Sequence, residues 1–117
     1  MKDKDKIALQ KIVGYIDDTF TCINGVDFDS FLQDKKTLFA CAFAVSQIGE
    51  LANELSLEIR NSNPDIPWKS IKGMRNKIVH DYETIDFTVL WKTIELSLPE
   101  LKNQLGGLLE KPELAPL

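Results

Sequence analysis

Apolar residues recur every three or four positions through most of the chain, the period of helices that bury one stripe. The first such stretch carries Leu9, Ile12, Val13, Ile16 and Phe20 on one side. It predicts a helix to about Cys22, with Asp3 or Asp5 able to cap its start. Asn24-Gly25 should end it, because both residues tolerate the left-handed backbone of a helix stop. A short helix with Phe28, Phe31 and Leu32 follows, capped by Asp27 or Asp29. The longest signal is a third helix over about 36–61, in which Leu38, Cys41, Ala42, Val45, Ile48, Gly49, Ala52, Leu55 and Ile59 share a side. Its first half is apolar nearly all round, with Phe39 and Phe43 opposite the main stripe. Such a helix belongs at the centre of a bundle or against a second chain.

Breakers gather at Asn61-Ser62-Asn63-Pro64-Asp65-Ile66-Pro67. Pro67 suits the first turn of a fourth helix, Trp68 to about His80, where a missing N–H costs nothing. Asp86 then caps a fifth helix with Phe87, Leu90, Trp91, Ile94, Leu98, Leu101 and Leu105 on its apolar side. Pro99 predicts either a kink or a restart in which Ser97-Leu98-Pro99-Glu100 acts as a capping box. Gly106-Gly107 and the later Pro112 and Pro116 predict fraying. The pattern has no strand alternation, no repeat and no dividing linker. The expected fold is a single all-α domain over 1–117, an up-and-down bundle of four to five helices.

Composition narrows the function classes. Hydrophobic content of 44% with 27% charged residues is ordinary for a globular chain. The formal net charge of −4 gives the surface no general affinity for nucleic acid, so such a role needs a local patch. Cys22 and Cys41 lie in apolar surroundings without metal-ligand or redox spacing, and read as buried free thiols of a reducing compartment. The charge-alternating start, Met1 to Lys6, is no signal peptide, and the eight-residue apolar run Leu38–Val45 is far short of a membrane span. A cytoplasmic protein with no membrane partner is expected.

The candidate chemistry lies in the fourth helix. Between Lys69 and His80 the charged residues are Lys69, Lys72, Arg75 and Lys77, with no carboxylate before Asp81. His80 is the chain's one histidine. At 100° per residue, Ile71, Met74 and Ile78 form the apolar side, flanked by Trp68 and Val79, with Arg75 inside or at the edge of it. Asn76 and His80 share the adjacent side. Arg75 and His80 are about 140° apart in rotation and about 7.5 Å in rise on a regular helix, so they do not meet unaided. Arginine's reach, an unwound helix end or a second chain could each close the gap. Glu50 on the third helix is a plausible partner for an arginine near an apolar side.

Histidine can move protons near neutral pH and arginine can clamp phosphate, so the stretch suits phosphoryl chemistry on a phosphate backbone. The plainer reading is a solvated helix end whose histidine favours the negative end of the helix dipole. A Gly-rich phosphate loop and a zinc ligand set are both missing from the sequence. Scattered carboxylates at Asp27, Asp29, Asp34, Asp81, Glu83 and Asp86 could hold magnesium but read as caps, and Trp68 and Trp91 read as core.

Arg75-Asn76-Lys77-Ile78-Val79-His80-Asp81-Tyr82 has the form R-N-x-x-x-H-x-Y, which resembles the signature of HepT-type proteins of the HEPN superfamily. Trp68 to Met74 before it, Tyr82 to Asp86 after it, Ile48-Gly49-Glu50 and Leu98-Pro99 extend the likeness over most of the chain. The resemblance implies a HEPN-like bundle that dimerises and acts as a metal-independent endoribonuclease toxin with no cofactor of its own. It makes Arg75 and His80 catalytic, with Arg75 stabilising the scissile phosphate and His80 doing acid–base work at the 2′-hydroxyl. Asn76, Lys77 and Glu50 would support them. It also implies a nucleotidyltransferase antitoxin that uses ATP and magnesium to place AMP on Tyr82. The alternative within the resemblance is a non-catalytic subunit that binds nucleotide or completes a nucleotidyltransferase.

Overall fold

The computed structural model describes residues 1–78 and 85–110. Helix α1 spans Asp3–Ile23, α2 Phe28–Gln33, α3 Lys35–Glu54, α4 Leu57–Ser62, α5 Trp68–Ile78, α6 Phe87–Lys92 and α7 Leu98–Glu110, with a π-helical segment at Thr93–Ser97 joining the last two. Among the described residues there is no strand, and the all-α expectation holds. No helix there is long and apolar enough to cross a membrane.

The start of α1 departs from the sequence reading. Neither aspartate caps it; Lys2 precedes the helix without a side-chain cap. Asp5 is instead buried, accepting from the Ser56 N–H at 2.9 Å and from the Ser56 hydroxyl at 2.6 Å. This pins the beginning of α1 to the turn after α3, so the two helices run antiparallel. Gly25, at φ +75°, supplies the left-handed residue just beyond α1. Asp27 caps α2 through the Ser30 N–H at 2.8 Å, and Asp34 caps α3 through the Thr37 N–H at 3.2 Å.

The long third helix is really two. α3 stops at Glu54, and α4 restarts at Leu57 with Ser56 as its N-cap. Ser56 Oγ accepts from the Ile59 N–H at 3.3 Å while donating to Asp5. A cap that also answers a buried carboxylate outcompetes one more turn of regular helix, because both orphan donors and a charge are satisfied at once.

At Pro99 the helix restarts after a π turn that the spacing of the sequence does not announce. The Leu98 N–H reaches back five residues to the Thr93 carbonyl, and Pro99 sits in the first turn of α7. The wider π turn tolerates a residue with no N–H, whose ring would crowd the carbonyl four positions back. Gly106-Gly107 do not fray the helix. α7 continues through them to Glu110 because Leu105 and Leu108 are buried; Pro112 and Pro116 lie outside the described residues. Cys41 is buried as expected, but Cys22 is exposed. Six residues beyond Ile16, Cys22 falls about 120° around α1 from it, outside the buried stripe.

α3 is the central element, packed on α1 along one side and on α5 along another. The α6–π–α7 run closes the bundle against α1, α3 and α5. Phe31 is wholly buried and stacks at a tilt on Trp91 with ring centroids 4.9 Å apart, locking α2 against α6. This arrangement leaves α5 on the bundle's surface with one side buried and the rest in solvent.

Candidate active site

Three independent contacts hold α5. At its start, Trp68 is largely buried, its indole N–H donates to the Asn63 carbonyl at 3.0 Å, and the Asn63 amide donates to the Ile59 carbonyl at 2.9 Å. The helix is thereby tied to the end of α4. In its middle, α5 lies directly on Gly49 of α3. A β-carbon at Gly49 would come within 3.2 Å of the Ile71 carbonyl and 3.9 Å of the Arg75 backbone nitrogen. Glycine is needed here for close approach of two backbones, not for an unusual turn. At its end, the Asp86 N–H donates to the Ile78 carbonyl at 2.8 Å, which ties the end of α5 to the start of α6. Asp86 also caps α6 through the Val89 N–H at 3.0 Å, as expected from sequence.

Ile71, Met74 and Ile78 are buried with Trp68, the apolar side anticipated from spacing. Arg75, Asn76 and Lys77 are exposed. Arg75 is therefore on the solvent-facing flank and not inside the apolar arc, which removes the need for a buried counter-charge. Glu50 is likewise exposed, and no ion pair joins it to Arg75. Its neighbour Gly49 lies opposite the Ile71–Arg75 stretch of α5 and leaves room for the Ile71 carbonyl. His80 and Tyr82 lie outside the described residues, so the structure brings Arg75 and Asn76 together and leaves the other half of the motif to sequence.

The four cations of α5 do not form one patch. Lys69 and Lys72 face a groove of about 300 Å³ between α4 and α5, completed by Leu57, Arg60, Asn61 and Trp68. Arg75 lies about 60° around the helix from Lys72, on that same flank. Lys77 lies on the opposite flank, where Ser70, Lys77, Thr93 and Ser97 line a smaller recess against the π segment. Arg60 and Asn61 were invisible as site residues in the sequence because they read as the end of a long third helix. The signal that could have found them is Ser56 with Glu58 in the following turn, a helix-start pattern.

Asp27, Asp34 and Asp86 each cap a helix, and among the described residues no cluster of acidic, histidine or cysteine side chains could hold a metal ion. Their cap hydrogen bonds hold the Asp27 and Asp34 carboxyls below the usual range, through Ser30 and Thr37 respectively.

A family described as ribonuclease HepT-like matches residues 8–107. Named relatives agree. The protein named Probable ribonuclease HepT of Thermococcus cleftensis is 36% identical over 104 residues, 89% of this chain and 94% of the relative. A protein of Methanocaldococcus jannaschii that carries an RNase name is 30% identical over 108 residues, 92% of this chain and 93% of the relative. Another with an RNase name, from Caldanaerobacter subterraneus subsp. tengcongensis, is 34% identical over 89 residues, covering 76% and 80%. No solved structure gives a significant match.

Proposed function

The chain belongs to the ribonuclease HepT-like family and is an RNA-hydrolysing enzyme, and we propose that it is the toxin of a toxin–antitoxin pair, cutting RNA without a metal ion and silenced by AMP transfer to Tyr82. The observation that carries this reading is the exposed Arg75-Asn76 pair on the basic flank of an α5 held at its start, middle and end. A guanidinium whose backbone is fixed supplies ready charge to a phosphorane without rearranging at the moment of reaction.

In the proposed reaction the RNA 2′-oxygen attacks the adjacent phosphorus and loses its proton, with His80 doing the acid–base work. The bond from phosphorus to the 5′-oxygen breaks, and that oxygen gains a proton. Arg75 stabilises the charge that builds on the non-bridging oxygens, while Asn76 holds phosphate or histidine. In silencing, the Tyr82 hydroxyl displaces pyrophosphate from ATP bound by a nucleotidyltransferase partner, leaving AMP on the ring oxygen. A phosphate beside Arg75 then repels substrate and occupies its place.

Activity is proposed to reside in a homodimer. Phe39 and Phe43, at 57% and 59% exposed and one turn apart on α3, are the largest outward apolar side chains of the central helix and support pairing there.

The test is cleavage of single-stranded RNA by purified protein in excess chelator. Wild type should cut, while Arg75→Ala and His80→Ala should each lose about a hundredfold or more in rate with unchanged thermal unfolding. Absence of cleavage by wild type, or its abolition by chelator alone, would overturn the reading. Incubation with the partner, ATP and magnesium should add AMP mass to wild type but not to Tyr82→Phe.

A further inference from the structure

We infer that the groove between α4 and α5 is a second phosphate site, which carries the RNA backbone next to the phosphate being cut. The inference rests on the ribonuclease reading for its substrate class, but it concerns residues outside the R-N-x-x-x-H-x-Y motif. The groove is lined by Leu57, Arg60, Asn61, Trp68, Lys69 and Lys72: three cations and an amide, with no carboxylate among them. In a chain with a formal charge of −4 that is a marked local excess.

Its position matters as much as its charge. Lys72 stands one turn before Arg75, about 4.5 Å along α5 and on the same flank, so the groove ends beside the candidate site. A strand whose scissile phosphate sits at Arg75 meets Lys72, then Lys69 and Arg60, on one side.

The walls are fixed rather than loose. Trp68 is 9% exposed and its indole N–H is engaged by the Asn63 carbonyl, so it offers a wall and not a stacking platform. Arg60 donates from Nε to the Ser56 carbonyl at 3.4 Å, which orients the guanidinium and leaves its terminal amino groups as donors for a ligand. Ser56 is itself held by Asp5, so α1 indirectly places Arg60. With no exposed ring for a base to stack on, these cations are placed for phosphate oxygens. The site therefore raises affinity for RNA irrespective of sequence.

The experiment compares wild type with Arg60→Ala/Lys69→Ala/Lys72→Ala on two substrates, a dinucleotide and a long single-stranded RNA. Circular dichroism melts verify that the variant folds. The ratio of kcat/KM for the long RNA to that for the dinucleotide should fall about tenfold, through KM, and the slope of log affinity against log salt should shrink by up to about 2, near 0.7 for each lost phosphate contact. Lys4→Ala/Lys11→Ala, the same kind of change on α1, should leave the ratio where it was. An unchanged ratio and salt slope in the groove variant would overturn the inference while leaving the ribonuclease reading intact. If wild type cuts nothing, binding of the long RNA decides alone. Weaker, less salt-sensitive binding by the variant upholds the groove; equal binding, no binding by wild type, or loss only of an acidic protein partner overturns it.

Discussion

Asp5 shows how one side chain can be read correctly in type and wrongly in role. An aspartate near a helix start suggests a cap, but its carboxylate turns inward to the Ser56 N–H and hydroxyl. Replacing it with alanine should strand a partly buried N–H and hydroxyl and lower stability by about 2 kcal/mol, read as the urea midpoint, with Asp5→Asn losing less. The two cysteines separate just as clearly. Burial, with Cys22 adding to it, pushes the Cys41 thiol up to about 12 from an ordinary 9.0. The folded state therefore holds this proton more tightly than the unfolded chain. Its contribution is intact below pH about 9 and is lost as pH rises toward about 12. Urea midpoints should fall over that window in wild type and fall less in Cys41→Ala. A thiol reagent should label exposed Cys22 in the native protein and Cys41 only on unfolding.

At the scale of elements, α5 is the part that carries the candidate site. Its apolar side was legible from spacing alone, since Ile71, Met74 and Ile78 repeat at the helical period. Its depth on α3 was not, because it depends on Gly49, whose missing β-carbon lets the Ile71 carbonyl approach. Gly49→Ala should recover up to about 1 kcal/mol of helix propensity but meet backbone that cannot swing aside, overpacking that costs about 1–3 kcal/mol. A net loss of stability near 1 kcal/mol is expected, with RNA cleavage falling further than the melting temperature explains because α5, which carries Arg75, is pushed away at Ile71. Cleavage that tracks stability alone would show that α5 keeps its position. The π turn before Pro99 belongs to the same scale. Sequence announced a disturbance at that proline but not the π turn before it, whose Ile94 and the following Leu98 are both almost wholly buried.

For the whole molecule, the open question posed by the surface is Phe39 and Phe43. Phe43 meets Tyr15 edge-on at 6.2 Å, yet both phenylalanines remain more than half exposed. Phe39→Glu/Phe43→Glu should shift the protein from dimer to monomer in sedimentation, and cleavage should fall with it if two chains complete the site. A double variant that still pairs would place the interface elsewhere, and a monomeric wild type would overturn the homodimer.

The period of apolar residues and the helix-stopping residues sufficed for the helical class, for the order of the main elements and for the buried side of each. Those are local properties, decided by which residues a single helix must hide. The motif from Arg75 to Tyr82 likewise stood out in one dimension, since it concentrates polar chemistry where the apolar period leaves room. What only the tertiary structure decided were the relations between distant segments. Asp5 reaches across to Ser56 and divides one predicted helix into two. That division brings Arg60 beside Lys69 and Lys72. Gly49 sets how closely α5 lies on α3, and the position of α5 separates Lys77 from the other three cations. Sequence spacing carries rotation about a helix axis but not the contact between axes, and the basic groove between α4 and α5 is made by that contact.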